Sequence, residues 1–554
     1  MRKEKAVVAT LILCALIFNH LQFILDKIAT PAGTIYLGTV HFPADYFYYL
    51  SQLAQGKMHF LTSTILYTAE KLPPVLVGWQ TVLVGRIFST LNIGVIASYQ
   101  LSLLIYSLIN LILVYKLLSE FFKKEVGKRV LAFFIFLTST SLPKLISTNG
   151  TTVWSYYYIW NHPGNHQVRL GATPHHKLAE LLFVTGVLLV IYWLKNKSVN
   201  IKHVIGLALV GLMLVSITPV HWGLLVLTTF VVSLLLGFSP NLGNLIRKRV
   251  MQVDRAPDSV DRKGTLAGGK PAAGPALILF ISGLPAAIYV RHVFNLPPYN
   301  LSSIWEASQQ VNVNIYTLVL GSGLVIPFAI LGVVAQVKKL KVSSLFGLVL
   351  IAIASLFYFT NIPYKLHLTN ARFWPAVLYI FWAAFTSAGI FWLAEKAKRF
   401  SKVVLVLLIS IYIASVVPTH IVQYSQVFKS KLPDPYYYYY LTNDAMNAFK
   451  EAEKISTPDS LFLVQSPYHW SFPALTGRKS FFGYELFTID AQTKNQEAFG
   501  FFGEAMGEEE MRKLLKKYGI DYIFVTSSNS QLVRLSFVEK FYQNSVVTLF
   551  KVKN

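Results

Sequence analysis

Cysteine is almost absent from the chain, which has 554 residues and a single cysteine, Cys14. One cysteine excludes an intramolecular disulfide and every metal site that is built from several thiolates. Charged residues are also scarce, since Asp, Glu, Lys and Arg make up 14% of the sequence, against roughly a quarter in ordinary soluble domains. Together with 54% hydrophobic residues and a mean hydropathy of +0.49, this scarcity indicates an integral membrane protein.

Acidic residues are the rarer of the charged types. The chain has 26 Asp and Glu against 50 Lys and Arg, which gives a net charge of +24. An excess of this size is typical of proteins that bind nucleic acid. Here the basic residues lie in short segments between apolar runs, as the positive-inside rule requires, so we expect membrane lipid and no nucleic acid as a partner.

Apolar runs of membrane-spanning length recur along the chain. They predict a polytopic α-helical membrane protein with about eleven transmembrane helices. The first run, 6–26, follows a basic segment, and we interpret it as a retained anchor rather than a cleaved signal peptide. The other predicted spans are 95–118, 128–146, 177–194, 201–218, 219–237, 275–291, 313–336, 343–360, 373–393 and 402–419.

The basic residues fall in alternate loops, and this pattern predicts the orientation of the chain. The N-terminus is expected in the cytoplasm and the C-terminus outside a plasma or inner membrane. Residues 1–419 are then the transmembrane domain, and 27–94 are a long first outer loop that carries interfacial helices. The cytoplasmic loop 241–274 has too little apolar content to fold and is predicted to be a flexible linker.

The last part of the chain, 420–554, reads as a small extracytoplasmic α/β domain. Short strands are predicted at 461–464, 522–525 and 546–552. A helix is predicted from Glu508 to Gly519, because acids begin it, lysines end it and a glycine follows.

The first outer loop contains a well-delimited short helix. Pro43 suits its first turn and Gly56 the residue after its end. Its residues divide into an apolar and a polar face, which predicts a helix lying in the membrane interface with Asp45 on the polar side near the N-terminus. We interpret Asp45 as a candidate general base and assign His41 and Tyr46 beside it to substrate binding. The alternative is an ordinary helix-end carboxylate.

The second outer loop, about 147–176, combines aromatic residues with histidines. An interfacial aromatic belt explains the aromatic residues but not the histidines. Histidine suits zinc and manganese, so a divalent metal (zinc, manganese or magnesium) held by His162 and His166 is one alternative, and no metal is the other. The residues of this loop assigned to substrate binding are Trp154, Arg169, His175 and His176.

Two basic residues stand out in a late outer loop, Lys365 and Arg372. Basic residues at the end of a span often snorkel to the interface, which is the alternative explanation here. Arg372, however, breaks the positive-inside trend, and a guanidinium fork is well suited to hold two phosphate oxygens. Both residues are therefore assigned to substrate binding.

These features together resemble the GT-C superfamily of polytopic glycosyltransferases. The resemblance is carried by the aspartate helix in a long first outer loop, the many further spans, the segment Arg372–Pro375 before a late span, and the α/β tail. The tail segment from Gln465 to Gly483 is also similar to segments of uncharacterised bacterial members. The sequence departs from the metal-dependent branches, because Asp45 is followed by Tyr46 rather than by further acids.

The resemblance implies a function and roles for two residues. Asp45 would be the catalytic aspartate of the first loop, and Arg372, with Lys365, would bind the phosphate of the donor. The implied reaction is inverting transfer of a sugar from a polyprenyl-phosphate donor to a glycan, lipid or protein acceptor on the outer face.

Two alternatives from other classes remain. One is a transporter or flippase of lipid-linked glycans, which requires ionisable groups within the bilayer. The predicted spans have few of these apart from Lys177 and Glu180, and no internal repeat is visible. The other alternative is a membrane scaffold without enzymatic activity, in which the tail is a binding module.

Overall fold

The computed structural model describes residues 2–39, 42–148, 151–171, 173–196, 199–237, 273–337, 340–429, 436–503, 505–527, 532 and 535–553. Helices dominate the chain up to residue 429. They are α1 (Arg2–Ile28), α2 (Pro43–Gln55), α3 (Trp79–Thr90), α4 (Val95–Phe121), α5 (Val126–Thr138), α6 (Pro174–Lys195), α7 (Ile201–Ile217), α8 (Pro219–Gly237), α9 (Gly274–Val293), α10 (Tyr299–Ser308), α11 (Ile315–Ser322), α12 (Val325–Val337), α13 (Val342–Tyr358), α14 (Ile362–Lys365), α15 (Leu378–Lys396) and α16 (Ser401–Lys429).

The remaining elements are short strands and the helices of the C-terminal region. The helices there are α17 (Asn443–Ile455), α18 (Ser471–Thr476), α19 (Ala491–Phe502) and α20 (Glu508–Tyr518). The strands, in chain order, are β1 (Thr34–Tyr36), β2 (Pro143–Thr148), β3 (Thr151–Tyr156), β4 (Tyr440–Thr442), β5 (Leu461–Val464), β6 (Lys479–Ser480), β7 (Tyr522–Thr526), β8 (Val538–Gln543) and β9 (Val547–Val552).

Among the described residues, seven helices are long and apolar enough to cross a membrane, or eight if α11 and α12 count as one bent span. Two further apolar helices, α7 and α13, are shorter. The chain is therefore a multi-pass membrane protein. The predicted number of about eleven spans stays a prediction.

Two predicted spans are not continuous helices. The span predicted at 128–146 is helical only to Thr138, after which the chain turns into strand β2 at Pro143. Proline lacks the N–H that would continue the helix, and β-branched and small polar residues precede it. The span predicted at 313–336 is broken between α11 and α12, which meet at 99°, and Gly323 at the break has a positive φ of 67°.

Contacts divide the described chain into two compact units. The first comprises Met1–His20, Leu103–Val290 and Glu306–Val427. Its core is helical: Gly332 of α12 and Gly389 of α15 allow those two helices to approach backbone to backbone, because a side chain at either position would overlap a carbonyl oxygen of the other helix.

The second unit comprises Leu21–Ser102, Arg291–Trp305 and Phe428–Asn554. The first loop and the C-terminal region thus cluster together, whereas the sequence predicted a boundary at 420 alone. In this unit β1 pairs antiparallel with β4, with Tyr36 opposite Tyr440. Helix α16 also continues past residue 420 to Lys429.

The C-terminal sheet has five strands in the order β6-β5-β7-β9-β8. Strands β5 and β7 are parallel, and β9 is antiparallel to β7 and β8. The predictions for this region are confirmed: β5, β7, β9 and α20 lie where they were expected, and Gly519 ends α20 with a φ of 63°. Strand β8 was not predicted, because its outward side chains are charged.

Helix α2 has the predicted bounds but a different environment. Its apolar residues pack into the core of the second unit, which includes Leu50 and Leu53. Its polar face is buried too, since Gln52 is 3% and Gln55 is 1% exposed. The Gln55 amide donates to the carbonyl of Thr64 at 3.0 Å. The polar face is therefore not exposed: Gln52 donates to the Tyr48 hydroxyl at 3.0 Å, and Gln55 also donates to the carbonyl of Ser51 in its own helix. The position of α2 in the membrane interface stays a prediction.

Candidate functional site

Asp45 lies in the first turn of α2, where it is half-buried. The hydroxyl of Tyr484 donates a hydrogen bond to its Oδ1 at 2.6 Å. The two residues are brought together by the fold of the second unit across most of the chain length. Burial raises the pKa of the Tyr484 hydroxyl, and the charge of Asp45 raises it further, so the tyrosine keeps its proton and acts as a donor at physiological pH.

The segment that carries Tyr484 is fixed on both sides. The backbone N–H of Gly483 donates to Thr488 Oγ1 at 3.2 Å, and that hydroxyl donates to the carbonyl of Tyr67 at 2.7 Å. Phe487 stacks on Tyr48 of α2, with ring centroids 4.2 Å apart. The loop therefore contacts the N-terminal part of α2, which carries Asp45.

Tyr46 is almost fully buried, at 4% exposure, and its hydroxyl donates to the carbonyl of Leu37 at 2.7 Å. Its ring meets Tyr99 edge to face at 4.9 Å. These contacts give Tyr46 a packing role, and substrate binding by it stays a prediction. His41, the other residue assigned beside Asp45, lies outside the described residues.

Arg372 lies in a 3₁₀ turn, Asn370–Phe373, that precedes α15. The side chain of Asn370 holds this turn by donating to the carbonyls of Val311 and Tyr358, at 2.8 and 3.0 Å. Arg372 itself is half-exposed, and its Nε donates to Glu306 Oε1 of α10 at 3.1 Å. Its guanidinium therefore makes a charge-assisted hydrogen bond within the first unit.

Three histidines lie close enough to Arg372 to interact with it electrostatically. They are His175 and His176 in the first turn of α6, and His221 in the first turn of α8. The rings of His175 and His176 are 4.2 Å apart. The structure thus brings together the predicted residues Arg372, His175 and His176 and adds His221 and Glu306. Helix N-termini and a guanidinium are both attractive to anions.

Arg169 has a structural environment. It is fully buried, and its Nε, Nη1 and Nη2 donate to the carbonyls of Phe136, Pro163 and Ser139 at 2.8, 2.5 and 2.6 Å. Burial lowers its pKa to about 10, which still leaves it charged at neutral pH. The three nitrogens thus tie the second loop to the end of α5, and substrate binding by Arg169 stays a prediction.

His162 and His166 belong to two separate networks. His162 Nε2 lies 3.0 Å from the Tyr379 hydroxyl and 3.2 Å from Ser322 Oγ, whereas His166 Nε2 lies 2.9 Å from the Tyr424 hydroxyl. Burial lowers the pKa of His162 to about 3, and it holds the pKa of His166 well below its usual value.

These two environments do not fit a shared metal. Both Nε2 atoms are engaged with hydroxyls, and no carboxylate accompanies either ring in these hydrogen bonds. Within the ranges that the structure covers, no group of three or more His, Cys, Asp or Glu could hold a metal ion.

Two other predicted residues lie at the surface. Trp154 is on strand β3, is 56% exposed and stands opposite Leu145 in the β2–β3 hairpin. Lys365 is exposed at the end of α14. Their assignment to substrate binding stays a prediction.

Sequence reasoning missed Tyr484, Glu306 and His221. Glu306 carried a signal, because it is the only acid between positions 273 and 394. His221 lies two residues after Pro219 at a helix start, as His176 does after Pro174, and this shared pattern was a signal for it. Tyr484 had no such signal, since the chain has 30 tyrosines and only the fold selects the one that meets Asp45.

Sequence comparisons find no relative: no family model matches the chain, and no curated protein does. Structure comparison finds the oligosaccharyltransferase of Archaeoglobus fulgidus. Its crystal structure in the apo form superposes with a TM-score of 0.50 at 13% identity, over 93% of this chain and 69% of that one.

Two further structures of that protein cover the same shares at 13% identity, each with a TM-score of 0.49. One is tethered to an acceptor peptide that contains the NVT sequon, and the other, named AglB, is in complex with an inhibitory peptide and a dolichol-phosphate. At this level of identity the apo structure shows a shared fold, and the chain therefore has the fold of that oligosaccharyltransferase.

Proposed function

We propose that this protein is a membrane glycosyltransferase of the GT-C type. It moves a sugar from a polyprenyl-phosphate donor to an acceptor hydroxyl, or a similar group, on the outer face of the membrane. The observation that carries the proposal is the first-loop carboxylate, Asp45, held by Tyr484 in a chain that shares its fold with an oligosaccharyltransferase.

The chemistry is a single displacement at the anomeric carbon. Asp45 takes the proton of the acceptor as its oxygen attacks, and the bond from the anomeric carbon to the donor phosphate breaks. The phosphate leaves with the electron pair of that bond, and the configuration at the anomeric carbon is inverted. General-base help of this kind contributes typically about two to four orders of magnitude.

Arg372 is the group proposed to hold the donor phosphate. Its guanidinium presents planar donors that match phosphate oxygens, and it stabilises the charge that develops as the phosphate departs. Lys365 adds a second positive charge on the same outer loop. The histidines near Arg372 sit at the starts of α6 and α8, where backbone N–H groups also favour an anion.

The proposal is tested with the purified full-length chain in lipid nanodiscs. It is given a panel of polyprenyl-phosphate hexoses, one sugar at a time, with glycan, lipid and peptide acceptors. We expect sugar transfer, free polyprenyl phosphate in equal amount, and a product linkage of opposite anomeric configuration to the donor. Retention of configuration would overturn the single displacement. In sealed vesicles, transfer of the intact donor between leaflets without loss of its sugar would instead identify a flippase.

A further inference from the structure

One loop of the C-terminal region touches α2 at two points. Tyr484 binds Asp45, and Phe487 stacks on Tyr48. Tyr484 and Phe487 are three residues apart in the loop, and their partners in α2 are also three residues apart. Residues three apart share one face of a helix, so the two contacts fix one face of the first two turns of α2.

The loop itself has little freedom to move. Thr488 binds both the N–H of Gly483 and the carbonyl of Tyr67, and its hydroxyl also lies 3.0 Å from the carbonyl of Tyr484. The backbone at Gly483 passes so close to the ring of Tyr67 that a Cβ there would overlap it. The Tyr484 hydroxyl therefore contacts Asp45 from a loop whose backbone is held in place by these hydrogen bonds.

We propose that Tyr484 is the positioning residue for Asp45, holding the carboxylate in the one orientation in which it takes a proton from the acceptor. This inference rests on the proposed function of Asp45 as the base. The hydroxyl donates to one carboxylate oxygen, and the hydrogen bond favours the charged form of the carboxyl group. The C-terminal region thus supplies a working part of the site rather than a separate binding module.

Other titratable groups interact electrostatically with Asp45 or Tyr484 and influence the pH at which the pair titrates. Tyr99 of α4 interacts electrostatically with Asp45. Tyr49 of α2 and Glu485 of the loop interact with Tyr484. Within this group of residues, the phenol of Tyr484 donates to Asp45 Oδ1 at 2.6 Å.

The test is the variant Tyr484→Phe, which keeps the ring and its edge-to-face contact with Phe487 but removes the hydroxyl. The carboxyl absorption of the full-length protein is titrated by infrared difference spectroscopy, and Asp45→Asn identifies the band of Asp45. Loss of a donor to the charged form should move the titration midpoint of Asp45 to higher pH, by on the order of one pH unit. The acidic limb of the pH–rate profile for sugar transfer should move in the same direction.

The matched control is Tyr440→Phe, which removes another buried hydroxyl of the second unit. That hydroxyl donates to the carbonyl of Asp26, so its loss should leave the Asp45 midpoint unchanged. An unchanged midpoint in Tyr484→Phe, with Asp45→Asn inactive, would overturn the positioning role alone. Normal transfer by Asp45→Asn would overturn the proposed base itself, so the two failures are distinguishable.

Discussion

At the scale of single residues, the ion pair of Arg372 and Glu306 leaves the charge of the arginine accessible to a ligand. The pair is partly exposed, with the side chains 31% and 23% accessible, so its net contribution to stability is small. A half-exposed arginine of this kind keeps its charge without the large desolvation cost of a buried one. Its position therefore suits ligand binding better than packing.

Replacing Arg372 tests this assignment. Arg372→Ala removes a fork that holds phosphate in the ground state and in the transition state, so donor binding and turnover should both fall. We expect binding to weaken by about 10-fold to 100-fold, as for loss of one charge-assisted hydrogen bond. Arg372→Lys should restore only part, because a point charge cannot grip two oxygens. Donor binding to the purified variants is the measurement, and Arg399→Ala, at an exposed helix end, is the control that should bind normally.

A second prediction concerns His469 and pH. Burial lowers the pKa of His469 to about 4, below its usual value of 6.5. Between these two pH values the histidine of the unfolded chain binds a proton and that of the folded chain does not. The contribution of neutral His469 to the free energy of unfolding is therefore complete above pH 6.5 and is lost as the pH falls towards 4. The loss approaches about 3 kcal/mol.

In His469→Gln this contribution to the pH dependence should vanish. The unfolding midpoint of the variant should therefore fall less between pH 6.5 and pH 4 than that of the wild-type chain. Parallel curves for the two proteins would show that His469 is not held neutral.

At the scale of secondary-structure elements, the position of Asp45 depends on how α2 meets α3. Gly85 of α3 passes so close to Leu53 of α2 that a Cβ would overlap the Leu53 carbonyl. Gly85→Ala should therefore push α2 away and destabilise the fold by about 1–3 kcal/mol, as other overpacked sites do. Thermal unfolding measures the loss. Gly94→Ala, where nothing lies within 4 Å of an added Cβ, should unfold at the wild-type temperature.

Secondary-structure elements were predictable where the sequence contains clear signals for the start and end of a helix. Pro43 and Gly56 set the bounds of α2, and the acids and the glycine around α20 did the same. Hydropathy was a poorer guide in the segments 128–146 and 313–336, because apolar content does not register a strand or a sharp bend at Gly323. The burial of the polar face of α2 was also not predictable, because it depends on contacts made only in the folded chain, such as that of Gln55 with the carbonyl of Thr64.

Some residues of the candidate site were likewise identifiable from the sequence, and others were not. Asp45 and Arg372 stood out because charged residues are rare in their surroundings, and Glu306 carried the same signal. Tyr484 could not be identified from the sequence, because its role depends on a contact with Asp45 that forms only in the folded chain. A hydrogen-bonding residue that acts through another residue is in general the part of a site that sequence shows least.

At the scale of the whole molecule, the orientation in the membrane is the main prediction. The basic residues of alternate loops predict an N-terminus in the cytoplasm and a C-terminus outside. A reporter fused after Asn554 should therefore read as extracytoplasmic, and one inserted between Gly264 and Gly269 as cytoplasmic. The opposite pair of results would invert the membrane face on which we place Asp45 and the sugar transfer.

We propose that the charge of Asp45 drives sugar transfer, and the variant Asp45→Asn removes that charge. The amide keeps the shape and hydrogen-bonding capacity of the side chain but cannot take a proton. Turnover with a polyprenyl-phosphate sugar and its acceptor should fall by about a hundredfold or more, while donor binding is largely kept. Asp490→Asn, which changes an exposed carboxylate before α19, should keep normal turnover. Transfer by Asp45→Asn at the wild-type rate would contradict the account.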